Sequence, residues 1–154
     1  MTGKIDFRVW EALLRRLGVG QDPFVKVGIL QSHGAGDPHA DSDATLVEVA
    51  AIHEFGDGPI PERSFIRRVL HEKEREILTL QAKLTAQVVE GRLTMERALH
   101  LVGAFVAGEV KKRIAMGEPI PPPLAPATIE AKGSSRPLVD KGQLVGAVAW
   151  EVAR

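Results

Sequence analysis

The chain has 154 residues, 44% of them hydrophobic, which is enough for one domain with a substantial core. Its 20 basic residues balance its 20 acidic residues, so no net charge draws the whole molecule to nucleic acid or to an anionic membrane. The lack of cysteine excludes disulfides, thiol nucleophiles and thiolate metal sites. There is no signal-peptide block and no apolar run near the roughly 20 residues that span a bilayer, so we expect a soluble protein made in the cytoplasm.

The first 43 residues predict a helix, a strand and a loop. Apolar residues recur at helical spacing through residues 5–17, and glycines follow where that helix should end. Residues 24–30 are apolar and β-branched, which is typical of a strand. Residues 31–43 are rich in glycine, aspartate, serine and histidine and predict a mobile loop.

A short helix and a turn come next. Asp43 is placed to cap a helix over residues 44–55, and Gly56 lies just past its end. Residues 45–52 also fit the alternation of a strand, so that alternative stays open. Residues 57–61 contain two prolines and predict a turn that leads into an extended path.

The middle of the chain predicts a long helical hairpin. Apolar residues at helical spacing from 65 to 88 form the first helix, and Gly91 ends it. Thr94 is placed to cap a second helix that runs to about residue 115. Its predicted buried stripe consists of Met95, Ala98, Val102, Phe105 and Val110.

The C-terminal part predicts an arm and a strand. Residues 117–127 are rich in proline and predict an extended arm, followed by a short polar helix near 128–132. Residues 145–152 alternate in a way that favours a strand. The whole chain, 1–154, is therefore predicted to be a single α+β domain. A small antiparallel or mixed sheet packs with the helical hairpin, and the arm precedes the C-terminal strand.

His53 and Glu54 form the pair that most suggests catalysis. A zinc protease helix needs a second histidine four residues after the first, and here that position is Asp57, beyond Gly56. We therefore interpret the pair as a helix end whose polar side chains hold the following turn. The alternative is a metal-dependent hydrolase that uses the His53-Glu54 pair.

A second group of possible metal ligands lies in the loop: His33, Asp37, His39, Asp41 and Asp43. The loop also contains glycines and lacks flanking order that would hold ligands in place, so a solvated loop is the favoured interpretation. No catalytic residue, metal ligand or cofactor site is predicted anywhere in the chain. A small regulatory or chaperone-like hairpin protein is a further alternative.

Two separated segments carry a family resemblance. The first reads VAAIHEFG at 49–56 and IPERSFIR at 60–67, and the second reads PLAPATI at 123–129 and PLVDKGQL at 137–144. In this order they resemble the signatures of small virion morphogenesis proteins of tailed bacteriophages, which include neck, tail-terminator and tail-completion proteins. Ser64 departs from the pattern, where a second proline is common, and the long hairpin is an elaboration.

The first segment also has a physical interpretation of its own. Gly56 permits a left-handed turn at the helix end, and the prolines that follow aim the chain so that Phe65 can anchor the next helix. Arg63 is placed to pair with Glu54 or with a carboxylate of a partner. The segment is thus a rigid corner, which either serves the fold alone or also presents Arg63 and Arg67 to a neighbour.

The resemblance implies a structural virion protein that completes the tail or joins head to tail, and no enzyme. It implies a ring of copies, expected to be hexameric, located at the neck or tail top. The ring would contact tail-tube and head–tail connector proteins and surround packaged DNA without base readout, with no membrane partner. The implied interface residues are His53, Glu54, Phe55, Arg63, Phe65, Arg67, Pro121, Pro122 and Leu124. The loop 31–43 and the arm 117–127 would serve as docking elements.

Overall fold

A computed structural model describes residues 8–34, 36–38, 43–116, 123, 125–126, 129–130 and 142–153. These residues form helices and a two-stranded antiparallel sheet, which confirms the predicted α+β class. In chain order the elements are α1 (Arg8–Arg16), β1 (Phe24–Ile29), a 3-10 helix (Gln31–His33), α2 (Leu46–Phe55), α3 (Ile66–Glu72), α4 (Glu74–Val89), α5 (Met95–Met116), α6 (Gln143–Ala147) and β2 (Val148–Ala153). No helix in the described part of the chain is both long and apolar enough to cross a membrane.

The sheet pairs the strand that follows α1 with the last element of the described chain. Strand β1 pairs antiparallel with β2, and Val27 lies opposite Trp150. The face that carries Val25 and Trp150 packs on α5 at Gly103, where an added Cβ would lie 2.5 Å from the Trp150 ring and 2.7 Å from a Val25 methyl. Glycine at this position therefore sets how closely the sheet approaches the helix.

Helix α5 runs through the core and contributes to both of its apolar clusters. The first cluster consists of Ala50, Phe65, Val69, Ala107, Val110, Ile114, Leu144 and Val148. The second consists of Leu84, Val88, Ala98, Val102 and Val106. The predicted stripe on α5 is confirmed at Ala98, Val102 and Val110, while Met95 and Phe105 are partly buried.

The predicted continuous helix over residues 65–88 is wrong, because α3 and α4 meet at Lys73 with φ −99° and ψ 8°. The physical reason is that the two halves pack in different apolar clusters. Val69 of α3 belongs to the first cluster, whereas Leu84 of α4 belongs to the second. The Lys73 ammonium group lies 3.5 Å from the Glu109 carboxylate, which ties the break to α5.

Helix α2 begins at Leu46 because Thr45, and not the predicted Asp43, caps it. The Thr45 hydroxyl accepts the backbone N–H of Glu48 at 3.4 Å, and the Glu48 carboxylate accepts the Thr45 N–H at 2.7 Å. This reciprocal pair is a capping box. The strand alternative for residues 45–52 is wrong, and Gly56 ends the helix as predicted.

The predicted C-terminal strand is confirmed from Val148 onward, but residues 143–147 are helical. Two other predictions, the arm at 117–127 and the helix near 128–132, lie mostly outside the described residues. In the loop 31–43, the 3-10 helix at Gln31–His33 was not predicted, and the mobility of the loop stays a prediction.

Candidate functional site: the Glu54 corner

The corner predicted after α2 is a tight reversal of the chain. Gly56 has φ +78°, and a Cβ there would lie 3.0 Å from the backbone nitrogen of Glu62. Asp57 and Ile60 then exchange backbone hydrogen bonds of 3.0 and 2.9 Å. The backbone N–H of Arg63 donates to the carbonyl of His53 at 2.7 Å, so the chain returns to the end of α2. The predicted turn is confirmed.

The Glu54 carboxylate is the centre of this corner and is only 5% exposed. Its Oε2 accepts the backbone N–H groups of Phe65 at 2.8 Å and Ile66 at 3.0 Å. Its Oε1 accepts the backbone N–H of Arg67 at 2.9 Å and the Ser64 hydroxyl at 2.7 Å. These are the N–H groups that the first turn of α3 leaves without helical partners. The last turn of α2 thus supplies the N-terminal cap of α3.

The hydrogen bonds decide the charge state of Glu54. Burial by itself raises the pKa of this carboxyl, but donation from the backbone of Ile66 and Arg67, with Ser64 and Phe65, outweighs it. The pKa of Glu54 is therefore lowered from its ordinary value, and the group is ionised at neutral pH. A carboxylate so engaged is a weak base, which suits a structural role better than proton transfer.

The Arg67 side chain closes the corner from outside. Its Nε donates to Glu54 Oε1 at 3.0 Å, and one terminal nitrogen donates to the Glu54 carbonyl at 2.6 Å and to the Glu62 carboxylate at 3.1 Å. The sequence predicted that Arg63 pairs with Glu54 or with a carboxylate of a partner, and in the structure it is Arg67 that pairs with Glu54. The reason is that α3 starts at Ile66, which brings both the backbone and the side chain of Arg67 to the carboxylate.

Arg67 also holds an exposed aromatic ring. Its guanidinium carbon lies 4.7 Å from the centre of the Phe55 ring, within cation–π range. Phe55 is 64% exposed and the Arg67 side chain 51% exposed. Around this pair the surface forms a shallow, mostly apolar depression, here called the Phe55 patch. It is lined by Ile29, Val47, Ala50, Ala51, Glu54, Phe55, Phe65, Ile66 and Arg67.

Arg63 connects the two segments that carry the family resemblance. It is buried, and a terminal nitrogen of its guanidinium donates to the carbonyl of Pro123 at 3.3 Å. A second connection runs through the core, where Leu144 packs in the same cluster as Ala50 and Phe65. Gly142, with φ +71°, precedes α6 and turns the chain toward that cluster. Arg63 and Pro123, which are 60 residues apart in the sequence, therefore belong to one site.

The predicted interface residues divide by exposure. Phe55 and Arg67 lie at the surface, His53 is half-buried, and Glu54, Arg63 and Phe65 lie inside the corner. The buried three act by shaping the corner. Pro121, Pro122 and Leu124 lie outside the described residues.

Of the possible metal ligands in the loop, His33, Asp37 and Asp43 lie within the described residues. Within the described ranges no three histidine or acidic side chains are placed to hold a metal ion. His33 Nδ1 lies 3.0 Å from the Ser32 hydroxyl, which in turn donates to Glu151 at 2.8 Å. His39 and Asp41 lie outside the described residues.

Sequence reasoning missed Ser64 and Arg67 as partners of Glu54. A signal was available for Ser64, since serine is favoured just before a helix. Position 64 is also where the resemblance departs from its pattern, and there the hydroxyl adds a donor to the carboxylate.

No protein-family model, curated protein or solved structure matches the chain.

Proposed function

We propose that this protein is a structural component of a tailed-phage particle, a ring subunit at the neck that completes the tail or joins it to the head. The observation that carries the proposal is the meeting of the two signature segments in one site. The Arg63 guanidinium donates a hydrogen bond to the Pro123 carbonyl, and Leu144 packs in the same cluster as Phe65. Residues that recur together in a family signature are expected to meet when they build one functional element, and here they do.

The Phe55 patch is the surface that we assign to partner contact. Aromatic and arginine side chains are enriched among the residues that dominate protein–protein binding. The Arg67 guanidinium is held by Glu54 and Glu62 before any partner arrives, so little side-chain entropy is lost on docking. The partners proposed for this surface are other copies of the chain and the tail-tube and connector proteins.

The same geometry argues against the hydrolase alternative. An activating glutamate must be free to take a proton from water, but the Glu54 carboxylate already accepts five hydrogen bonds from Ser64, Phe65, Ile66 and Arg67. Metal analysis of purified protein tests the alternative directly. Stoichiometric zinc or manganese that is lost in Glu54→Ala would support the hydrolase.

The decisive experiment is electron microscopy of particles assembled without this protein, in a phage that encodes it. We expect normal heads and tails that stay separate, whereas fully infectious particles would refute the proposal.

Complementation with variants of the protein then tests the Phe55 patch. Phe55→Ser should fail to restore joined particles, while Leu78→Ser, which alters a side chain of α4 that is 57% exposed, should restore them. If the Phe55→Ser variant fully restored joined particles, the Phe55 patch would not be a partner contact.

A further inference from the structure

The small sheet has two outer edges, one on each strand. Among the described residues, β1 and β2 pair only with each other. Between residues that the structure describes, no backbone hydrogen bond outside the regular elements reaches the outer edge of either strand. Two strands alone are a marginal sheet, and an unpaired edge is a template for another strand.

We propose that these edges pair between copies of the chain, with β1 of one copy adding antiparallel to β2 of the next. The inference rests on the proposed function, because it supplies the contact that joins subunits of a ring. Each copy offers one edge of each kind, so the contact is head-to-tail. Head-to-tail contacts build closed rings when the rotation between copies closes.

Charge favours this pairing over the symmetric pairings that are centred on Lys26 or on Glu151. Lys26 and Glu151 are cross-strand neighbours within the chain, with the ammonium nitrogen 3.3 Å from a carboxylate oxygen. If β1 of one copy meets β2 of the next in the same register, Lys26 again faces a Glu151. A symmetric pairing of β1 with β1 centred on Lys26 would oppose two ammonium groups, and β2 with β2 centred on Glu151 would oppose two carboxylates. Like charges directly opposite each other destabilise a strand pair.

The apolar face of the sheet also fits this pairing. The same register would place Val27 of one copy beside Trp150 of the next, which continues the face that packs on α5.

Disulfide trapping tests the pairing, and the cysteine-free chain gives a clean background. Phe24 lies opposite Ala153 within the chain, so the same register between copies places Phe24 of one beside Ala153 of the next. The Phe24→Cys and Ala153→Cys variants, purified separately, leave Lys26 and Glu151 intact. Mixed under mild oxidation, they should give a linked dimer, because directly opposed residues come within disulfide reach. Neither variant should link to itself, nor to a Thr79→Cys control on α4.

A charge swap makes the test specific to the pairing. Adding Lys26→Glu to the Phe24→Cys variant should lower the yield of linked dimer several-fold. Adding Glu151→Lys to the Ala153→Cys partner should then restore it. No link in the mixture, a link in either variant alone, or a yield unaffected by the charge changes would overturn the inference. The proposed function is judged separately by particle assembly, so a failure to link alongside unjoined heads and tails would overturn the inference alone.

Discussion

Glu54 accepts the backbone N–H of Phe65 at 2.8 Å, so the end of one helix caps the start of another. Phe65 is fully buried in the first apolar cluster. The Glu54 carboxylate therefore fixes both the direction of α3 and the position of Phe65, which anchors this helix in the core. The chain between them turns at Gly56. This relationship turns a short sequence motif into a rigid corner that holds Phe55 at the surface.

Replacing Glu54 by glutamine should destabilise the protein by about 2–3 kcal/mol, the cost of losing hydrogen bonds to a charged acceptor at a buried site. The amide also brings N–H donors against the donors of α3. Urea denaturation measures the change. Glu62→Gln is the matched control, since Glu62 is exposed and contacts the same Arg67, and its effect should stay within about 0.5 kcal/mol. Equal effects of the two substitutions would contradict the central role of Glu54.

The lowered pKa of Glu54 predicts a pH dependence with a definite sign. A carboxyl whose folded-state pKa lies below its unfolded value stabilises the fold above the unfolded pKa. That contribution is lost as pH falls through the folded pKa. The free-energy difference between wild type and Glu54→Gln should thus be constant above the ordinary value of 4.5 and shrink in more acid solution. Unfolding free energies of both proteins across this range measure it. A difference that grows on acidification would have the wrong sign.

The corner was predictable because its signals are local. Gly56, the prolines and the buried Phe65 act within a dozen residues of chain, and each restricts the backbone where it stands. The choice of Arg67 over Arg63 was not predictable, since it depends on where α3 begins. The break at Lys73 was also hidden. Leu70 and Ile77, on either side of the charged residues 71–76, are seven residues apart and therefore keep helical phase across it. Only the packing of α5 shows that the two sides belong to different clusters.

Gly56→Ala should cost more than Gly58→Ala, although both glycines have positive φ, +78° and +51°. Either substitution puts a side chain at a positive φ, with a strain of about 1–3 kcal/mol. At Gly56 the added Cβ also meets the backbone of Glu62 at 3.0 Å, whereas at Gly58 nothing lies within 4 Å. Thermal unfolding of the two variants gives the comparison. Equal melting temperatures would mean that the backbone of Glu62 moves away from an added Cβ at Gly56 without loss of stability, which would contradict the prediction.

Gly103→Ala tests the contact between the sheet and α5. The added methyl group would lie 2.5 Å from the Trp150 ring, so the sheet must shift or the ring must rotate. Overpacking of this kind costs about 1–3 kcal/mol, and it should also change the fluorescence of Trp150. Gly108→Ala on the same helix is the matched control, because nothing lies within 4 Å of its added Cβ. Alanine in an open helical position should stabilise the protein by up to about 1 kcal/mol. The two substitutions should therefore shift the melting temperature in opposite directions, and a shared direction would contradict the close approach at Gly103.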